Sequence, residues 1–125
     1  LERYSKSLEV EPEKITFNAM DEALLKRAVA IVEKNMDNSE YSVDELSDDM
    51  AMSRATLFRK MRSVIGMSPT DFIRNTRLKR AAQLITEGRL SVTEIAYSVG
   101  YSSPGHFTKS FKKEFGVLPT QYHKT

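Results

Sequence analysis

Two stretches of this sequence carry cations at helical spacing on the side opposite an apolar stripe. In the first stretch Arg59 and Arg62 lie opposite the apolar residues, and in the second stretch Lys109 and Lys112 take the same places. A guanidinium can bind O6 and N7 of guanine together, whereas an ammonium offers only a point charge, which suits phosphate. These residue types and spacings predict nucleic-acid binding, with Arg59 as the first candidate for reading a base.

The two stretches are copies of one unit, residues 42–65 and 91–115. They align at an offset of 49 residues, which becomes 50 after one extra residue in the second turn, so that Ser53 matches Ser103. In each copy, capping residues and apolar spacing predict a short helix, a sharp turn and a longer helix. This is the pattern of a helix-turn-helix unit, whose longer helix fits a major groove of B-DNA.

Helix signals run through most of the chain, and no strand alternation of any length appears. The predicted fold class is therefore all-α, with seven helices in two homeodomain-like subdomains joined by a long central helix. The first helix is expected to begin with Asp21 as its N-cap, and with Met20 and Leu25 as a hydrophobic staple. The predicted divisions are a linker or arm at 1–20, a DNA-binding domain at 21–125, a first helix-turn-helix at 42–66, a connecting helix at 69–87, a second helix-turn-helix at 91–116 and a short seventh helix from Pro119.

Charge is divided unevenly along the chain. Residues 1–52 hold 6 Lys or Arg and 13 Asp or Glu, a net charge of −7, whereas residues 53–125 hold 13 and 4, a net charge of +9. Such asymmetry indicates a polyanionic partner for the basic part, with charges that merely solvate helix faces as the alternative. The sequence has no cysteine, which excludes a disulfide framework and a thiolate metal site. It has no apolar run long enough to cross a membrane and no signal-peptide pattern.

The connecting helix is predicted to set the distance between the two units. It would be about 28 Å long at 1.5 Å per residue. The units can then reach successive major grooves, about 34 Å apart, on one face of the DNA. Arg77 and Arg80 on this helix are expected to serve structurally between the two lobes.

The outward faces of the two long helices match position by position. With Pro104 and Gly105 beside Lys109, the second unit offers few side chains to base edges, and we expect it to hold phosphates more than it specifies sequence. The matched pairs are Ala55/Gly105, Thr56/His106, Arg59/Lys109 and Arg62/Lys112, with Lys113 beyond them.

The remaining candidates each have a structural alternative. Phe58 fits either a half-buried core position or an apolar contact with a thymine methyl group. Arg54 and the hydroxyls of Ser53, Ser102 and Ser103 can meet phosphates at the positive ends of helices, and for each of them plain capping is the alternative.

The second half of the chain carries a longer ordered set of residues. In order these are Arg77-Leu78-Lys79-Arg80-Ala81-Ala82-x-Leu84-Ile85, Ser91-Val92-x-Glu94-Ile95-Ala96, Val99-Gly100-Tyr101, His106-Phe107-Thr108-Lys109-x-Phe111-Lys112-Lys113 and Phe115-Gly116-x-x-Pro119-x-x-Tyr122. At this spacing they closely resemble the AraC/XylS family of bacterial transcription regulators, over about residues 21–122. The resemblance implies seven helices, two helix-turn-helix subdomains on one long helix, and recognition helices that enter adjacent major grooves.

The outward faces and the resemblance together give the predicted contacts. Two departures from the family weaken individual contacts, because His123 stands where a basic residue is usual and Gly105 where a side chain is usual. No catalytic residue, metal ligand or cofactor is implied. Predicted base contacts are Arg54, Ala55, Thr56, Phe58, Arg59, Pro104, Gly105, His106, Thr108 and Lys109. Predicted phosphate contacts are Ser53, Arg62, Ser102, Ser103, Lys112 and Lys113.

The front end resembles a narrower group. Its residues are Val10-Glu11-Pro12-x-x-Ile15-Thr16, Met20-Asp21-Glu22 and Met52-Ser53-Arg54-x-x-Leu57-x-Arg59-Lys60-Met61. They look like the C-terminal output module of Bacteroides-type hybrid two-component sensors, in which a sensor, histidine kinase, receiver and AraC-type domain share one chain. Many of these proteins govern polysaccharide-utilisation genes, and residues 1–20 would link a receiver to the DNA-binding module.

The resemblance also implies partners and a location. The partner is double-stranded DNA in its major groove, and RNA polymerase is a candidate second partner. The fragment is expected to be a monomer alone and a dimer within the full-length protein, and to make no membrane contact. A cytoplasmic location follows, with the full-length protein a candidate for anchoring in the inner membrane.

Other classes of function fit the sequence less well or stay open as alternatives. An enzyme is disfavoured because the sequence lacks a paired-histidine metal motif, a phosphate-binding Gly-rich loop and a Ser/His/Asp or Cys/His set. An RNA binder is disfavoured because aromatic platforms for unpaired bases are scarce. A fragment of a stand-alone AraC-type activator and a helical protein-interaction module stay open as alternatives.

Overall fold

Helices form the regular structure of the part of the chain that the structure describes. The computed structural model describes residues 18–122, which contain six α-helices, one 3-10 helix and no strand. They are α1 (Ala19–Lys34), α2 (Val43–Asp49), α3 (Arg54–Ile65), α4 (Pro69–Glu87), α5 (Val92–Ser98), α6 (Pro104–Phe115) and the 3-10 turn Pro119–Gln121. The prediction of an all-α fold with two helix-turn-helix units, α2–α3 and α5–α6, joined by α4, is confirmed. His123 and most of the predicted arm, residues 1–17, lie outside the described residues.

The segment predicted as a seventh helix is a single 3-10 turn, Pro119–Gln121. It ends at Tyr122, whose backbone is extended (φ −74°, ψ 126°). The ring of Tyr122 packs against Phe111 and Phe115, with ring centroids 5.5 and 5.4 Å apart. Tyr122 directly follows the turn, and its ring contacts hold this end of the described chain against α6. The prediction of seven helices is therefore corrected to six α-helices and one 3-10 turn among residues 18–122.

The first helix begins earlier than the sequence prediction. Asn18 is the N-cap, because its side-chain oxygen accepts a hydrogen bond from the Asp21 amide at 2.9 Å. The Asn18 amide donates in return to an Asp21 carboxylate oxygen at 3.4 Å, which completes a capping box. Asp21 is thus the third helical residue and not the cap. Met20 is 81% exposed, so the predicted staple with Leu25 does not form.

Two hydrophobic cores lie along α4, one for each unit. Phe72 and Ile73, near the start of α4, pack in a first core with residues of α1, α2 and α3. Leu78 and Ala81, further along, pack in a second core with residues of α5 and α6. Helix α4 therefore belongs to both lobes, and each half of it is covered by a different unit.

Helix α4 has the predicted bounds and length. The Ser68 hydroxyl accepts a hydrogen bond from the Asp71 amide at 3.2 Å, and Pro69 is the first helical residue. Gly88 ends the helix with a left-handed backbone (φ 71°). Its 19 residues span about 28 Å, as the sequence predicted.

The two arginines predicted to lie between the lobes have different positions. Arg77 is buried and donates hydrogen bonds to the backbone carbonyls of Asn38 in the first lobe and Gly100 in the second, which agrees with the prediction. Arg80 is exposed and donates to Gln83 Oε1 in the same helix at 3.1 Å. Arg77 and Arg80 thus lie about one helical turn apart on α4, the first inside the protein and the second on its surface.

Candidate nucleic-acid interface

The turns of the two helix-turn-helix units have the same backbone hydrogen bonds. In the first unit the Met52 amide donates to Ser47 O at 3.0 Å, and in the second the Tyr101 amide donates to Ala96 O at 3.0 Å. These residues are related by the offset of 49 found in the sequence. The predicted duplication is therefore confirmed in the backbone that orients each long helix.

One residue in each turn has a left-handed backbone. It is Ala51 in the first unit (φ 57°) and Gly100 in the second (φ 89°), again at an offset of 49. A Cβ added to Gly100 would overlap Arg77 Nη1 and Met36 O, so that only glycine fits there. Ala51 takes up the same conformation with a side chain, at a cost of about 1–2 kcal/mol.

Helix α3 turns its apolar side inward and its predicted contact residues outward. Its buried residues are Leu57, Met61, Val64 and Ile65. Its exposed predicted contacts are Arg54, Ala55, Phe58, Arg59 and Arg62. Ser53 caps the helix by accepting from the Thr56 amide at 3.1 Å, and its hydroxyl donates to Thr56 Oγ1 at 3.0 Å. Thr56 is half-buried, and its hydroxyl takes part in this cap.

Helix α6 is divided in the same way. Phe107 and Phe111 are buried, and the ring of His106 meets Tyr101 edge-on with centroids 5.4 Å apart. Ser103 caps the helix by accepting from the His106 amide at 3.1 Å. Pro104 and Thr108 are half-buried. The exposed predicted contacts are Ser102, Ser103, Gly105, His106, Lys109, Lys112 and Lys113.

Arg54 has an ion-pair partner that sequence reasoning missed. Its Nε lies 3.2 Å from Asp44 Oδ1 in α2, and the two side chains are 67% and 68% exposed. A pair this exposed adds little to stability, about 0–1 kcal/mol. It does place a negative charge beside Arg54, the first cation of α3. The corresponding residues of the second unit are Thr93 and Pro104, which cannot form such a pair. No local spacing signals the contact, because the two residues lie on different helices.

Phe58 and Arg62 form a contact on the outer face of α3. The Arg62 Cζ lies 5.4 Å from the centroid of the Phe58 ring, within the range of a cation–π interaction. Phe58 is 46% exposed, so that its ring reaches the outer face of the helix. The two residues are four apart, a spacing that brings helical side chains together and that the sequence reasoning did not use.

Gly105 leaves bare backbone in the first turn of α6. A Cβ added there would have only Ser103 Oγ nearby, at 4.0 Å. No neighbour among residues 18–122 requires glycine at this position. The lack of a side chain therefore changes the outer surface of the helix and not its packing.

The structure gathers the predicted contact residues on or beside two helices, α3 and α6. None of them is fully buried. Ser53 and Ser103 cap these helices, which is the alternative to phosphate contact that the sequence analysis gives for them. Contact between each of these residues and DNA stays a prediction. Within residues 18–122, no three side chains of the metal-binding types come together, and no helix has the length and apolar character of a bilayer span.

Comparison with known families gives one match that covers most of the chain. A model described as a helix-turn-helix domain matches residues 46–125. This range begins in α2 and includes both long helices, α3 and α6, together with α4.

Two curated relatives are longer proteins. Histidine kinase P4 of Formosa agariphila is 41% identical over 120 residues, which are 96% of this chain and 9% of that protein. The transcriptional regulator MtrA of Neisseria gonorrhoeae is 39% identical over 101 residues, 79% of this chain and 34% of that protein. The chain thus spans about a tenth to a third of the length of these relatives.

Three solved structures share the fold. A transcriptional regulator of Chromobacterium violaceum with an AraC-type DNA-binding domain has a TM-score of 0.74 and 29% identity, over 83% of this chain and 92% of that one. The C-terminal domain of AraT, a response regulator from Geobacillus stearothermophilus, has a TM-score of 0.72 and 29% identity, over 79% and 82%. The DNA-binding domain of the transcriptional factor AdpA, in complex with a target DNA, has a TM-score of 0.71 and 28% identity, over 79% and 87%.

Proposed function

We infer the function of this chain from its family: it belongs to the AraC-type helix-turn-helix DNA-binding domains. It is the DNA-binding domain of a transcription regulator, as its relatives and the DNA complex of AdpA indicate. The observation that carries the more detailed proposal is the repeat itself. Two long helices with the same turn geometry both expose cations on the side away from the core.

In the proposed complex α3 and α6 enter successive major grooves on one face of the duplex. A major groove admits an α-helix, and residues in the first half of the helix reach base edges. The length of α4, about 28 Å, is close to the rise of one helical turn of DNA, about 34 Å. The exposure of the cationic faces of both helices supports this arrangement.

The first unit would read the sequence. Arg59 is exposed on α3, and its guanidinium can bind guanine O6 and N7 together, worth about 1–3 kcal/mol of discrimination. Phe58 has enough exposed ring to contact a thymine methyl group. Arg62, one turn further on and against the Phe58 ring, would contact a phosphate.

The second unit would hold the duplex more than read it. Its helix begins with Pro104 and Gly105, neither of which can donate a side-chain hydrogen bond to a base. Lys109, Lys112 and Lys113 offer point charges, which suit phosphates. His106 is the side chain of this helix best suited to a base edge.

The same domain would act as the output module of a two-component phosphorelay. Two comparisons support this: the relative that is 41% identical is a histidine kinase, and the C-terminal domain of a response regulator has the same fold. In such a protein a receiver would precede residues 1–20, and phosphorylation would bring two DNA-binding domains together on repeated sites. RNA polymerase as a further partner, a cytoplasmic location and polysaccharide-utilisation genes as targets belong to the same proposal.

Selection from random duplex DNA tests the proposal most directly. The purified chain should enrich a motif with two conserved segments about one helical turn apart. Titration of the selected duplex between about 50 and 200 mM salt should show affinity falling with a log–log slope of about −0.9 per neutralised phosphate. A scrambled duplex of equal length is the control. Equal affinity for both duplexes, or affinity that does not change with salt, would instead favour a helical protein-interaction module.

A further inference from the structure

We propose that Arg77 is a positioning residue that fixes the orientation of the second helix-turn-helix unit relative to the first, and with it the spacing of DNA segments that the chain accepts. The part about DNA rests on the proposed function, whereas the part about orientation does not.

The guanidinium of Arg77 joins one turn from each lobe. Its Nη2 donates to Asn38 O at 2.8 Å, in the segment between α1 and α2. Its Nη1 donates to Gly100 O at 2.5 Å, in the turn of the second helix-turn-helix. The side chain is only 7% exposed. One buried cation therefore connects the body of the first lobe with the turn that orients α6.

The turn of the second unit fits closely against this cation. A Cβ added to Gly100 would overlap Arg77 Nη1, Arg77 Cζ and Met36 O. Met36 belongs to the segment after α1, and its side chain packs against the second hydrophobic core. The chain between α1 and α2 therefore contacts the second unit through both a backbone carbonyl and an apolar side chain.

Arg77 also lies where the two cores meet. Ile73, one turn before it on α4, packs in the first core, and Leu78, directly after it, packs in the second. Helix α4 alone would leave the lobes joined by one rod. The two hydrogen bonds of Arg77, to Asn38 O in the first lobe and to Gly100 O in the second, add a cross-link that resists rotation of one lobe about α4.

Arginine suits this role and lysine does not. The planar guanidinium carries several N–H donors at fixed angles, so that it can bind two carbonyls in different directions at once. Burial lowers the pKa of Arg77, but an arginine keeps its proton throughout the range in which proteins fold. A lysine at the same place would present a single nitrogen on a flexible stem and could not hold both turns with the same geometry.

A fixed orientation has a direct consequence for DNA. Two recognition helices that are rigidly related can both enter their grooves only when the DNA segments are separated by the matching number of base pairs, because each added pair also rotates the next groove. If the lobes rotated freely about α4, the chain would tolerate changes in that spacing.

The test uses the duplex selected by the wild-type chain and a copy with one base pair inserted between its two segments. We expect the wild-type chain to bind the inserted duplex at least roughly tenfold more weakly, the size of one lost base contact. Arg77→Lys should reduce that ratio to below about threefold by weakening binding to the selected duplex. Arg80→Lys is the matched control, because Arg80 lies on the same helix, is exposed and bonds only to Gln83 as far as residues 18–122 are concerned. It should keep the wild-type ratio.

A purely structural role would give a different result. If Arg77 only contributed to folding, Arg77→Lys would weaken binding to both duplexes by the same factor and leave the ratio unchanged, which would overturn the proposal. A wild-type chain that binds both duplexes equally would overturn it as well.

A distance measurement without DNA tests the orientation by itself. The sequence has no cysteine, so Lys60→Cys in α3 and Thr93→Cys in α5, both at exposed positions, would give one spin-label pair. The wild-type background should give one narrow distance distribution, and Arg77→Lys a broader one. A broad distribution in the wild-type background overturns the proposal even if Arg77→Lys does not fold. Failure to bind DNA with a narrow distribution would count against the proposed function alone.

Discussion

The two helix-turn-helix units of this chain have the same backbone structure but differ in the side chains that face away from the core. Ser53 and Ser103 cap the two long helices in the same way, and both helices end at glycines with a left-handed backbone. The exposed cations on the predicted contact face of α3 are guanidiniums, whereas those of α6 are ammoniums. Caps and buried residues fix where each helix lies and leave its outer face free to diverge. This difference is the basis of our proposal that one unit reads DNA while its copy holds it.

The first helices of the two units differ in charge. Helix α2 carries Asp44, Glu45, Asp48 and Asp49, and the residues at an offset of 49 are Thr93, Glu94, Tyr97 and Ser98. The first helix of such a unit crosses the DNA backbone, where carboxylates repel phosphates. In the proposed complex the charge of α2 would oppose the approach of the first unit to DNA, and its base contacts would have to contribute a larger share of its affinity.

The largest expected effect concerns the residue with a left-handed backbone in each turn, when each is replaced by the residue type found in the other turn. Gly100→Ala places a Cβ against Arg77 and Met36 and should lower the free energy of unfolding by about 2–4 kcal/mol through strain and overpacking. Ala51→Gly relieves the strained backbone but gives more freedom to the unfolded chain, so its net effect should stay within about 1 kcal/mol. Thermal unfolding measures both. Equal losses would mean that the two turns are held by the same contacts.

The next largest effect distinguishes a side chain that reads a base from one that holds the DNA backbone. Arg59→Ala should cost about 1–3 kcal/mol on the selected duplex and relax the choice of one guanine, because a bidentate base contact is lost. Lys109→Ala, at the matching position of α6, should weaken selected and scrambled duplexes by the same factor, since an ammonium is a point charge that cannot make a bidentate contact with a base. Binding isotherms on both duplexes separate the two outcomes. A base-specific loss for Lys109→Ala would remove the proposed asymmetry.

A smaller effect, of opposite sign, is expected for the carboxylate beside Arg54. Asp44→Asn removes the partner of this arginine and frees it for a phosphate. Affinity should rise severalfold on all duplexes, and the log–log salt slope should steepen by about 0.9. Asp48→Asn, at another exposed position of α2, makes the same change in net charge without touching the pair. If both variants steepen the slope equally, the contact between Asp44 and Arg54 has no role of its own.

The smallest effect concerns the matched small residues in the first turns of α3 and α6. Gly105→Ala fills open space and should raise the free energy of unfolding by about 0.5–1 kcal/mol, because alanine loses less backbone freedom in a helix. Ala55→Gly should lower it by a similar amount. Chemical denaturation of the free protein gives both values. A loss of stability in Gly105→Ala would show that α6 depends on glycine for its packing.

The helix bounds near the recognition helices were predictable because local signals determine them. Ser53 and Gly66 bound α3, and Ser68, Pro69 and Gly88 bound α4, as their types and spacing indicated. The predicted start of α1 is wrong because both Asp21 and Asn18 are residue types that favour the N-cap, and in the structure Asn18 caps the helix with Asp21 as its capping-box partner. The sequence does not distinguish the 3-10 turn from a short α-helix because proline opens both.

Contacts between separate elements were harder to predict. The pair of Asp44 and Arg54 joins two helices, and neither residue follows a spacing that marks a partner. The sequence predicts a structural role for Arg77, but its acceptors are the backbone carbonyls of Asn38 and Gly100. Every residue has a carbonyl, so no sequence pattern identifies the one that is used. Opposite-charge pairs within one helix are readable from sequence, whereas tertiary hydrogen bonds to backbone are not.

The sharing of α4 between the two cores limits how this protein can be recombined. A chimera that joined the first unit to the second unit of a homologue at the loop before α5 would pair a foreign α5–α6 with a native surface around Leu78 and Ala81. A crossover within α4, between Ile73 and Arg77, keeps each core with its own half of the helix. Helix α4 is thus the suitable crossover point for joining units with different binding specificities, provided that Arg77 and the turn that contains Gly100 come from the same protein.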